Sequence, residues 1–139
     1  MIDPLSATSF CVESAALCIA ITKKLKRFAE SAKNAGEEIQ SLIQKTDRIR
    51  NVLELLRLTV RELQGTEFKD MQIAVDDRSC QSLLKDILNL ANNIVLREST
   101  ITIRERLSWA TKASQAQSLV RKVIEQESEI TRALIIINT

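Results

Sequence analysis

The 139-residue chain has no histidine and no tyrosine, two glycines, one proline and 3% aromatic residues. Without histidine it lacks the usual general base, the usual partner of a catalytic nucleophile and the commonest metal ligand. With Gly36 and Gly65 as its glycines, it carries no G-x-x-x-x-G-K-[ST] or G-x-G-x-x-G loop to cradle a phosphate. The clustered carboxylates Glu37/Glu38, Asp76/Asp77 and Glu125/Glu127/Glu129 fall where helix starts or solvated faces want them. The expectation is therefore no catalytic, cofactor-binding or metal-binding residues and no small-molecule substrate. A net charge of +2 and the scarcity of aromatics provide neither a strong field for phosphates nor a stacking platform, so nucleic acid is not an expected partner.

The order of charges also argues against a secretory signal. Such signals place bases before the apolar stretch, whereas here Asp3 leads and Lys23, Lys24, Lys26 and Arg27 follow. The chain has no N-x-S/T sequon, and Cys11, Cys18 and Cys80 leave one cysteine over from any disulfide framework. A reducing, cytoplasmic location is the expectation.

The composition that remains, 45% hydrophobic and 27% charged, suits one globular domain over residues 1–139 with a core of its own. With so few breakers the chain reads as all-α: an elongated antiparallel four-helix bundle with a long loop and an extra short helix or connector. Asp3-Pro4 starts a helix from about Leu5 to about Lys33, stopped by Asn34-Ala35-Gly36. A second runs from Glu37 to Gly65, with Ile39, Leu42, Ile43, Thr46, Ile49, Leu53, Leu56, Val60 and Leu63 at three- and four-residue steps, widened by Val52 and Leu55. Residues 66–78 read as a loop with room for a short turn. A third helix from about Ser79 to Arg97 starts at Asp76, Asp77 or Ser79. Residues 98–113 read as a short helix or irregular connector, which the sole tryptophan, Trp109, anchors against the bundle. Ser114 and Gln117 form an S-x-x-Q capping box for a last helix that buries Leu119, Val120, Val123, Ile124, Ile130, Leu134 and Ile137. Leu53, Leu56, Val60, Leu84, Ile87, Leu88, Val123 and Ile130 are the expected core.

The opening Asp3-Pro4-Leu5-Ser6, a first helix of small residues with a basic end, Glu37-Glu38-Ile39, and Arg106-Leu107-x-Trp109-Ala110 before the final helix together resemble the fungal HeLo-like N-terminal domains. These stand at the front of fungal NOD-like (STAND) receptors and related proteins, including the azaphilone pigment cluster family. Gly36 occupies a turn that often holds proline there, and the first helix lacks glycines that related domains carry. The resemblance implies a helical bundle at the front of a longer protein, related to effectors of regulated necrosis and heterokaryon incompatibility. It further implies self-association into homo-oligomers on activation and a first helix that attacks a membrane.

The first helix is where these expectations meet chemistry. From Pro4 to Thr22 its only charge is Glu13, and the stretch is long enough to cross a bilayer. Leu5, Phe10, Val12, Leu17, Ile19 and Ile21 would contribute roughly −2 to −4 kcal/mol to insertion, while a mid-span acid could cost about +3. A single copy is thus not expected to insert alone. One reading makes the helix a packed wall, with Leu5, Val12, Ala16 and Ile19 inward, flanked by Ala15, Cys11 and Cys18. The other makes Leu5, Phe10, Val12, Glu13, Leu17, Ile19 and Ile21 a membrane-active segment whose basic end, Lys23, Lys24, Lys26 and Arg27, contacts anionic lipid. A third possibility is an oligomerisation or docking module without membrane action. In the bundle, an ionised Glu13 must reach the surface or find a basic partner, and its expected place is the bundle's edge.

Overall fold

The computed structural model describes residues 1–31, 37–67, 70–95 and 103–138, and their side chains except at 31, 38, 94, 95 and 103–113. The described chain is all-α, with α1 (Pro4–Ser31), α2 (Glu37–Leu63), α3 (Asp77–Val95) and α4 (Ile103–Ile137).

Local chemistry sets the helix ends. Asp3 caps α1, its Oδ1 accepting the Ser6 N–H at 2.7 Å, with Pro4 at the first helical position where no N–H is needed. Asp76 caps α3 through the Ser79 N–H at 3.1 Å and the Ser79 hydroxyl at 2.7 Å, which decides among the three candidate starts. These bonds hold both carboxyls below the usual range. At the end of α2, Gly65 adopts φ +80°, a conformation glycine reaches without steric cost.

Among the described residues, α1 packs against α2 and α3, and α4 packs against the same two helices. α1 and α2 run antiparallel: Lys26 reaches Asp47 at 3.8 Å, while Cys11, earlier on α1, lies beside Glu54 and Arg57. α1 and α3 run parallel, because Glu13 meets Gln81 and Lys24 meets Asn92. The connection from Gln64 to Asp76 makes this possible, carrying the chain back to the start of α1 before α3 begins. On that connection Ile73 is buried and exchanges backbone hydrogen bonds with Ile2.

One hydrophobic cluster joins the four helices. Leu53, Leu56, Val60, Leu84, Ile87, Val123 and Ile130 are buried in it, and Leu88 is half-buried against it. The turn at 34–36 and the residues 96–102 lie outside the described residues. Residues 103–113 belong to α4, which corrects the expected separate helix or connector there. The β-branched signal of Thr100 to Ile103 gives way to the helix formers Arg104, Glu105, Arg106, Leu107 and Ala110 that follow. Ser114 and Gln117 are consequently interior, exposed positions of α4 and cap nothing. Ile124 and Leu55, expected inside, are 42% and 55% exposed. Trp109 lies in α4, but its side chain is outside the described residues.

Candidate functional site

α1 owes its orientation to the volume and polarity of its two faces. Inward it turns Ala7, Phe10, Cys11, Ser14, Ala15, Cys18, Ile21, Thr22 and Leu25. Outward, at seven-residue steps, stand Leu5 (76% exposed), Val12 (54%) and Ile19 (42%), and one further step along is Lys26. Ala16 and Lys23 are exposed along the same stripe. The expected wall of Leu5, Val12, Ala16 and Ile19 is therefore the outer face, not the inner one. Both faces carry apolar residues at helical spacing, so periodicity alone does not choose between them; the largest side chain, Phe10, goes inside because it has the most area to remove from water.

The sequence-predicted membrane-active residues consequently divide. Phe10 and Ile21 are buried anchors, Leu17 is half-buried against the core, and Leu5, Val12 and Ile19 share the outer stripe with Glu13 at its margin. Glu13 is exposed, and its Oε2 accepts a hydrogen bond from the Gln81 amide at 3.0 Å, a neutral partner that holds the carboxylate at the α1–α3 edge. The basic residues divide as well. Lys23, Lys26 and Arg27 are exposed, Lys26 making a loose surface ion pair with Asp47, while Lys24 is half-buried and donates to the Asn92 amide oxygen. Pro4–Glu30 is long and apolar enough to cross a membrane by length and composition, a property it shares with core helices of soluble proteins.

The three thiols are buried and free. Burial pushes each up to about 12, and the proximity of Cys11 and Cys18 to Cys80 adds to the rise at Cys80. At neutral pH they are uncharged packing groups between α1 and α3. No group of three or more His, Cys, Asp or Glu side chains among the described residues is placed to hold a metal ion.

Two features here have no clear signal in the sequence. The Ser14 hydroxyl is buried and has no hydrogen-bond partner among the described residues, so the inner face of α1 is less firmly held than its apolar count implies. The reciprocal backbone bonds between Ile2 and Ile73 tie the start of α1 to the α2–α3 connection. A backbone bridge between residues so distant in sequence leaves no side-chain pattern by which to find it.

The chain matches no family model, no curated protein and no solved structure. The site therefore stands on its own chemistry.

Proposed function

We propose that this chain is a signalling domain of HeLo-like type, folded as a four-helix bundle and serving as the N-terminal effector of a fungal receptor of the NOD-like class. On activation it oligomerises and acts on a membrane through α1, in regulated cell death of the heterokaryon-incompatibility kind. It is not an enzyme, it works from the cytoplasm, and its partners are copies of itself and anionic lipid.

The observation that carries this reading is the outer stripe Leu5, Val12 and Ile19, continued by Lys23 and Lys26 on the same face. Apolar residues followed by bases match the order of acyl chain and anionic headgroup met by a helix at a cytoplasmic leaflet. In the closed fold the stripe can touch a surface without any unpacking. Deeper insertion is held back by the inner face: removing fully buried Phe10, Ile21 and Leu25 from the core costs roughly 1.5–3 kcal/mol each. Their sum is comparable with the stability of a whole small domain, about 5–15 kcal/mol, so one copy does not release α1 unaided. Clustering supplies the difference, because several copies share one apolar contact and Glu13 then faces a wet interior rather than lipid.

The second reading is a docking module that never meets lipid. The tight burial of the inner face of α1 favours it. The triple variant Leu5→Asn, Val12→Asn, Ile19→Asn separates the two, since these exposed sites contribute little to the core. On the membrane reading it keeps the far-UV helical signal and loses flotation with anionic vesicles. Unchanged flotation of the folded triple variant would remove the outer stripe from the function.

A further inference from the structure

α4 carries an apolar face of its own, remote from α1. Its core side holds Ala116, Leu119, Val123, Ile130 and Ala133, and on the opposite side stand Ile124 (42% exposed) and Ile135 (63%). Ser128 and Thr131 fill the positions between the isoleucines, giving steps of four, three and four residues, the spacing of a helix–helix seam. Grooves of about 530 and 460 Å³ flank the seam on its two sides.

This seam is complementary to itself when turned end for end. Ile124 comes level with Ile135, and Ser128 with Thr131, in both directions at once. On one flank Glu125 and Arg132 are exposed, stand seven residues apart and make no ion pair among the described residues. When two identical helices pack antiparallel, each flank meets its own copy, so Glu125 of one chain faces Arg132 of the other, twice. The neighbouring charges do not oppose this: Glu129 is turned back to accept the Asp76 N–H at 2.8 Å, and Glu127 holds Arg48 at 3.0 Å, with Lys45 lining the groove beyond.

We propose that the chain self-associates as a two-fold antiparallel pair through the outer face of α4, with Ile124 against Ile135 and Glu125 against Arg132 of the second copy. An isologous contact of this kind needs one self-complementary patch, which the seam provides. With two apolar layers and two rim ion pairs, the pair is weak and concentration-dependent. It shares with the proposed function only the premise that copies associate, and it assigns the contact to a helix that does not touch α1 among the described residues.

The test is sedimentation velocity of the whole chain over a concentration series at low salt. Wild type should show a monomer–dimer equilibrium, and E125R or R132E alone should weaken it by about five-fold or more. The double swap E125R/R132E recreates both pairs and should restore association to within about two-fold of wild type, while I124N/I135N should abolish it. A wild type that stays monomeric, single swaps without effect, or a double swap no better than the singles overturns the proposal. The α1 triple variant should dimerise normally; if it alone abolishes the dimer, the contact is on α1 and the α4 assignment is wrong. A dimer that persists while flotation fails upholds the α4 pair and refutes only the membrane reading.

Discussion

Ile2 and Ile73 exchange two backbone hydrogen bonds, the Ile2 N–H donating to the Ile73 carbonyl at 3.0 Å and the Ile73 N–H donating to the Ile2 carbonyl at 2.8 Å. Ile73 is buried, so this clasp fixes the first residues of the chain to the α2–α3 connection just where α1 begins. Any release of α1 from its amino end must open it.

Replacing Ile2 with proline removes one of the two donors and should cost about 1 kcal/mol. The Ala7 amide, which donates to the Asp3 carbonyl at 2.9 Å in the first turn, should then exchange hydrogen faster than in wild type, while amides in the middle of α2 lose only the global difference. No change at Ala7, or an acceleration no greater than that in the middle of α2, would show that the clasp does not hold the end of α1.

Core and surface leucines should separate cleanly. Leu56→Ala or Ile87→Ala removes a fully buried side chain and should lower unfolding free energy by about 2–5 kcal/mol in urea titration. Leu5→Ala, at a position 76% exposed, should change it by less than about 0.5 kcal/mol. A large loss at Leu5 would mean that the outer stripe is packed in solution.

The buried thiols give the domain an alkaline limit. Each is raised to about 12 in the fold against an ordinary value of 9.0, so the unfolded chain ionises first and the native state binds more protons between those values. The stabilisation is fully present below about pH 9 and declines above it, by up to about 4 kcal/mol at pH 10 for the three together. The chain has no tyrosine to confuse this limb. Denaturant midpoints between pH 8 and 10 should fall, and Cys80→Ala should shallow the slope; a flat profile would show that the thiols are solvated.

Most of the fold was readable because its signals are local. Asp3-Pro4, Asp76 and Gly65 act within a turn of their own positions, and the broad stripe of α2 leaves one choice for its core face. The faces of α1 were not readable. Leu5, Val12 and Ile19 have the same seven-residue spacing as the buried Cys11, Cys18 and Leu25, and only the position of α2 and α3 decides which set is covered. The same holds for Ile124, which shares an apolar run with Val123 but faces the other way. At the site, the edge position of Glu13 followed from the cost of burying a charge, whereas its partner Gln81 depends on the parallel placement of α3.

Glu13→Leu should leave the fold intact, since the carboxylate is exposed and its Gln81 bond is a surface bond. It extends the outer apolar stripe and should strengthen vesicle binding. Unfolding of this variant under conditions where wild type is stable would instead make Glu13 a structural partner of α3. A folded variant that ignores vesicles even when clustered would favour the docking module.

On the proposed function, α1 meets anionic lipid through its outer stripe and basic end. This is tested most directly by flotation of the chain, clustered through a fused trimeric coiled coil, on vesicles with and without phosphatidylserine. Flotation is expected with the anionic vesicles only, reduced several-fold by added salt and by replacing Lys23, Lys24, Lys26 and Arg27 with Gln. A clustered, folded protein that stays in solution with anionic vesicles, or that floats equally well after the four substitutions and at high salt, contradicts it.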